Sequence, residues 1–130
     1  MLNKVEYWLG LADDDIETAK WLLKGHRLLH AVYFCHLIAE KALKAVVADN
    51  TSKVPPKTHN LSRLAELANI HDKLEEAQHD LLERLTPFQI EGRYPEDKES
   101  LGKNLTINYC KQLLSETEDF LCWIKQELEK

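Results

Sequence analysis

A chain of 130 residues, 44% of them hydrophobic, is sized for one globular domain with a sizeable core. Its formal charge of −5 comes from both signs spread along the sequence, so no basic stripe marks a nucleic-acid or membrane surface. Acids interrupt "MLNKVEYWLGLADDD" where a signal peptide needs its apolar run, and no window offers the roughly 18 apolar residues of a membrane span, so a cytoplasmic location is expected.

The elements follow from helical periodicity. From residue 2 to 24, Val5, Leu9, Ala12, Ile16, Ala19 and Leu23 recur every three or four positions, forming one apolar stripe that Gly25 should stop. A second helix is expected over 28–48, a short third over 61–70 behind the N-cap candidate Asn60, a fourth over 72–89 and a long fifth over 104–129. The fourth carries Leu74, Ala77, Leu81, Leu85 and Phe88 on one side; the fifth carries Cys110, Leu113, Thr117, Phe120, Ile124 and Leu128. Two segments with clustered proline and glycine, "NTSKVPPKTHN" and "EGRYPEDKESLGKN", read as loops. Alternating strand patterns and repeats are absent. The expected fold is all-α: an antiparallel, up-and-down bundle of four helices with one short helix in a connection, and residues 1–130 form a single domain.

The second helix raises a question of its own. At 100° per residue, Ala31, Phe34, Cys35, Ile38, Ala42, Ala45 and Val46 fill a broad apolar arc. His36, Glu40 and Lys44 stand at i, i+4 and i+8 and make one polar row, with Tyr33 at its start and Lys41 at its edge. One reading is a solvated face with a favourable Glu40–Lys44 pair, worth about 0.2–0.5 kcal/mol. The other is that so apolar a helix has little open surface, so the row faces a groove suited to a polar ligand, a nucleotide or a partner's loop.

Three motifs in order, "AVYFCHLIAEKALKAVV", "KTHNLSRLAELA" and "LTPFQIEGRYPED", resemble those of the HEPN family of nucleotide-binding domains. The resemblance runs from the first helix to the fifth. It implies a bundle of four to five helices, often dimeric and often encoded beside or fused to a minimal nucleotidyltransferase, as in toxin–antitoxin-like modules. Glu40 and Lys44 match the charged pair of the family's second-helix motif, and His36 stands where many relatives have glutamine. Thr58, His59 and Asn60 match the turn before the third helix, with asparagine in place of a frequent aspartate; Arg93, Tyr94 and Pro95 match the "RYP" after the fourth. His36, Glu40, Lys44, His59, Arg93 and Tyr94 are therefore the candidate ligand-binding residues. A histidine before a helix start and an arginine fork both suit phosphate. The structural alternatives are a turn histidine at position 59 and a salt bridge from Arg93 to Glu40.

Many members of that family are metal-independent ribonucleases in which a histidine follows an arginine after four to six residues. Here Arg93 is followed by "YPEDKES", without histidine, and Arg27, Arg63 and Arg84 also lack one at that spacing. No catalytic residue is assigned. His26 and His30 have an i,i+4 metal spacing, but Gly25 breaks the helix there and no third ligand completes a set, so neither metal nor cofactor is expected. Cys35, Cys110 and Cys122 lie within helical patterns without CxxC spacing; Cys35, on the apolar arc, reads as a buried inert thiol. The expectation is a homodimeric helical protein that binds a nucleotide or RNA, pairs with a nucleotidyltransferase, or does both, away from membranes. The alternatives are a ribonuclease using His36, His59 and Arg93, or a dimeric scaffold. Trp21, opposite the stripe of the first helix, is the candidate dimer contact.

Overall fold

Six α-helices and two short 3-10 turns make up the described part of the computed structural model: α1 (Lys4–Lys24), α2 (Leu28–Thr51), α3 (Leu61–Leu67), a turn at His71–Lys73, α4 (Glu76–Leu85), a turn at Thr86–Phe88, α5 (Pro95–Gly102) and α6 (Ile107–Leu128). The structure describes residues 4–51, 53–91 and 93–130, so Leu2 and Asn3, which the first helix was expected to include, lie outside the described residues. No strand occurs among the described residues.

α2 is the centre. It touches α1, α3, α4, α5 and α6, and no residue from 31 to 48 is exposed. Its small side chains explain the close approach of α1: Ala31, Ala39, Ala42 and Ala45 are buried, as are Ala12 and Ala19 on α1. Alanine at the contact lets helix axes come together, whereas larger residues hold them apart. The α1 stripe of Ala12, Ile16, Ala19 and Leu23 and the α6 stripe of Cys110, Leu113, Thr117, Phe120 and Ile124 close on the same core. Buried Thr117 satisfies its hydroxyl by donating to the Leu113 carbonyl at 2.7 Å.

Local chemistry moves several expected boundaries. The fourth helix does not run from 72 to 89; Leu74 is extended, Glu75 and Gln78 form a capping box that restarts the chain as α4, and Ala77 is exposed. α3 stops at Leu67 rather than residue 70 because Asn69 turns left-handed at φ 59. The segment 91–104, read as a loop, contains α5: Pro95 opens it and Glu96 and Asp97 fill its first turn. α5 buries none of its residues, so it lacks the apolar period by which the other helices are recognised.

α1 ends in a Schellman arrangement. The Arg27 amide donates to the Leu22 carbonyl at 2.8 Å and the His26 amide to Leu23 at 3.0 Å. The residue that turns left-handed is His26, at φ 57, and not Gly25. The glycine expected to stop the helix stands one position too early to take that conformation.

Candidate functional site

The charge within α2 is buried. His36, Glu40 and Lys44 are 1%, 4% and 7% exposed, which removes the solvated-face reading of the row. An ion pair taken this far from water is stable only with good geometry and further hydrogen bonds. Both Glu40 oxygens are engaged: Oε2 accepts from Lys44 Nζ at 3.0 Å, and Oε1 lies 2.9 Å from His59 Nδ1. The Lys44 ammonium also sits 5.3 Å from the Trp8 ring centroid, a cation–π contact from α1. Three elements thus close one cluster: α1 through Trp8, α2 through the row, and the turn before α3 through His59.

The turn that delivers His59 is set by its neighbours. The Asn60 amide donates to Thr58 Oγ1 at 3.2 Å, and Asn60 Oδ1 accepts from the Arg63 amide at 3.0 Å as the N-cap of α3. Asparagine therefore performs the cap that an aspartate would, without adding charge. His59 itself is half exposed, with a side-chain accessibility of 50%. Nδ1 faces Glu40 inside the protein, so Nε2 is the ring nitrogen left for a ligand. α3 has seven residues and its cap already takes the Arg63 amide, so the helix-start contribution to anion binding is smaller than the sequence suggested.

His36 lies deeper. Its Nδ1 is 3.8 Å from Glu40 Oε1 and has no hydrogen-bond partner among the described residues. Burial lowers its pKa to about 4; Glu40 and a hydrogen bond with the His59 backbone pull the other way, while the His59 ring and Lys44 add to the lowering. His36 is thus a neutral ring behind the cluster rather than a ligand-facing group.

Arg93 and Tyr94 do not join the cluster through any contact among the described residues. Arg93 is exposed and donates from Nε to the Gln89 carbonyl at 2.7 Å. The alternative reading of Arg93, a salt bridge to Glu40, is not seen among the described residues; Glu40 is engaged by Lys44 and His59. Tyr94 is 74% exposed at the N-cap position of α5. The link from this loop to the row is Tyr33, whose hydroxyl donates to Glu91 Oε2 at 3.4 Å. Burial, then Glu91, then Glu40 and Asp15 raise the Tyr33 pKa, which places the phenol within the field of the same carboxylates. Asp15 pairs with Lys41 across α1 and α2.

Trp8 and Asp15 are the cluster neighbours that sequence reasoning missed. Both lie on α1, and nothing in their local spacing reports which α2 residues an antiparallel neighbour will meet. No group of three or more metal-ligating side chains occurs among the described residues. Cys35 is buried and its thiol is pushed up to about 12, mainly by burial, so it is no nucleophile at neutral pH.

The model of the HEPN domain matches residues 5–128. The crystal structure of an archaeal HEPN homologue is similar over 98% of this chain and 99% of that one, with a TM-score of 0.66 at 20% identity. No curated protein matches the chain.

Proposed function

The chain belongs to the HEPN domain family, and from that premise we propose that it is a binding domain that recognises a nucleotide phosphate at His59, without cleaving RNA. The observation that carries this reading is the 2.9 Å contact between His59 Nδ1 and buried Glu40, which fixes the ring and leaves Nε2 for a ligand. Lys44 and Trp8 hold Glu40 and its charge in place behind the ring. Arg93, exposed with Tyr94 on the segment before α5, is proposed to supply a guanidinium fork for a second phosphate oxygen or for a partner's carboxylate, as its match to the family motif implies. The protein is proposed to act as a cytoplasmic homodimer beside a minimal nucleotidyltransferase in a toxin–antitoxin-like module, as the family resemblance implies.

Calorimetric titration with ATP tests the site. Replacing His59 or Arg93 by alanine should each weaken binding by about 1.5–3 kcal/mol, the scale of a hydrogen bond to a charged group. Unchanged affinity in both variants overturns the site. Partnership is tested by inspecting the adjacent genes for a minimal nucleotidyltransferase and co-purifying any that is found; a chain that has no such neighbour, or never retains it, has another role.

One observation favours a second reading. A carboxylate that orients a half-exposed imidazole is also the arrangement of a general base. Against it stands the absence of histidine in the seven residues after Arg93. Metal-free hydrolysis of RNA that His59→Ala abolishes would establish the ribonuclease and displace the binding-only reading.

A further inference from the structure

At the far end of α1 from Trp8, a groove of about 720 Å³ is lined by residues of α1, the following turn and the start of α6. Trp8 and Trp21 are thirteen positions apart, or about 20 Å along a helix, so this groove is separate from the Glu40–His59 cluster. It presents Trp21, 71% exposed, with Lys20, Lys24, Lys111 and His26, against one glutamate, Glu17. In a chain of net charge −5, this is a local concentration of the opposite sign.

We propose that this groove binds a nucleotide unit, a base stacked beside Trp21 with its phosphate on the lysines. Three observations converge. Lys24 Nζ lies 5.3 Å from the Trp21 ring centroid, so cation and aromatic face are presented together, the pairing that unpaired nucleic acid uses. Among the described residues no carboxylate forms an ion pair with Lys24 or Lys111; Lys20 has only long contacts to Glu17 and Glu118, at 3.9 and 3.8 Å. Three carbonyls at the end of α1, those of Trp21, Leu22 and Leu23, accept from Gly25, Arg27 and His26, which leaves fewer free acceptors facing an anion there. His26 also keeps an imidazole on the groove at a left-handed position where glycine would be less strained.

A second copy of the chain is the rival occupant. A two-fold contact places a patch against itself, and here that would bring lysines against lysines. Charge complementarity favours the nucleotide.

The test uses anisotropy of a fluorescein-labelled oligoadenylate, with ATP as competitor and His59→Ala as a parallel variant. The wild type should bind with strong salt dependence. Trp21→Ala should weaken binding roughly five- to hundredfold, the range of one lost base stack, and Trp21→Phe should recover much of it. Lys111→Glu should weaken it as well, whereas His59→Ala should not. Competition by ATP at matching affinity identifies a mononucleotide site, and failure to compete identifies an unpaired strand. The groove assignment falls if the wild type binds neither probe or if Trp21→Ala and Lys111→Glu bind like the wild type. It also falls if only His59→Ala loses binding, or if Trp21→Ala converts a dimer to a monomer.

Discussion

Removing Glu40 leaves a buried ammonium, that of Lys44, without its carboxylate. Glu40→Ala should lower stability by about 3 kcal/mol in urea melts, well beyond an exposed pair, with the Trp8 contact offsetting part of the loss. Equal midpoints would mean that Lys44 reaches water. His36 sets a pH dependence. Its folded pKa, about 4, lies below the ordinary 6.5, so the unfolded chain binds the proton first as pH falls. Its contribution is complete above pH 6.5 and is lost progressively down to about pH 4, on the order of 3 kcal/mol across that window. His36→Gln should flatten that part of the stability profile, and an unchanged slope would assign the titration elsewhere. Burial separates the cysteines too: in the native state Cys122, exposed, should react with a thiol reagent, while Cys35 and Cys110, buried, should not.

At the scale of elements, helix ends and helix contacts carry separate costs. His26 occupies the left-handed position that closes α1, so His26→Gly should raise the thermal midpoint by an amount equivalent to about 1 kcal/mol. A lowered midpoint would show that the imidazole makes contacts outweighing the backbone strain. α4 is held to α6 by Arg84, which bonds Glu116 with both terminal nitrogens, at 2.9 and 2.7 Å, and Asp80 at 2.8 Å. The hydrogen bond from Arg84 is the main cause that holds the Glu116 carboxyl below its ordinary pKa, and the same bond raises that of Arg84. Both side chains are partly exposed, so solvent screens the pair; Arg84→Ala should cost about 1–2 kcal/mol, measured by chemical unfolding. Spacing alone shows the Arg84–Asp80 contact, one turn apart, but not Glu116, which lies 32 positions away.

For the whole molecule, the proposed homodimer should appear in sedimentation equilibrium and should survive Trp21→Ala, since the groove at Trp21 is assigned to another occupant. The helical class, the apolar arc of α2 and the stripes of α1 and α6 are legible in the sequence because a period of 3.6 residues is a local property, visible wherever a helix has a buried side. α5 was not legible, because a helix without a buried face carries no such period. The same limit governs the site. The sequence placed His36, Glu40 and Lys44 in one row, since i, i+4 and i+8 on a helix are neighbours whatever surrounds them. It could not decide what faced that row. The packing of α1 brought Trp8 to Lys44, the turn before α3 brought His59 to Glu40, and Arg93 went to Gln89 instead. Contacts between residues distant in the chain depend on helix order, axial offset and rotation, none of which periodicity records, and so only the tertiary structure turned an apparently charged face into a buried, paired cluster.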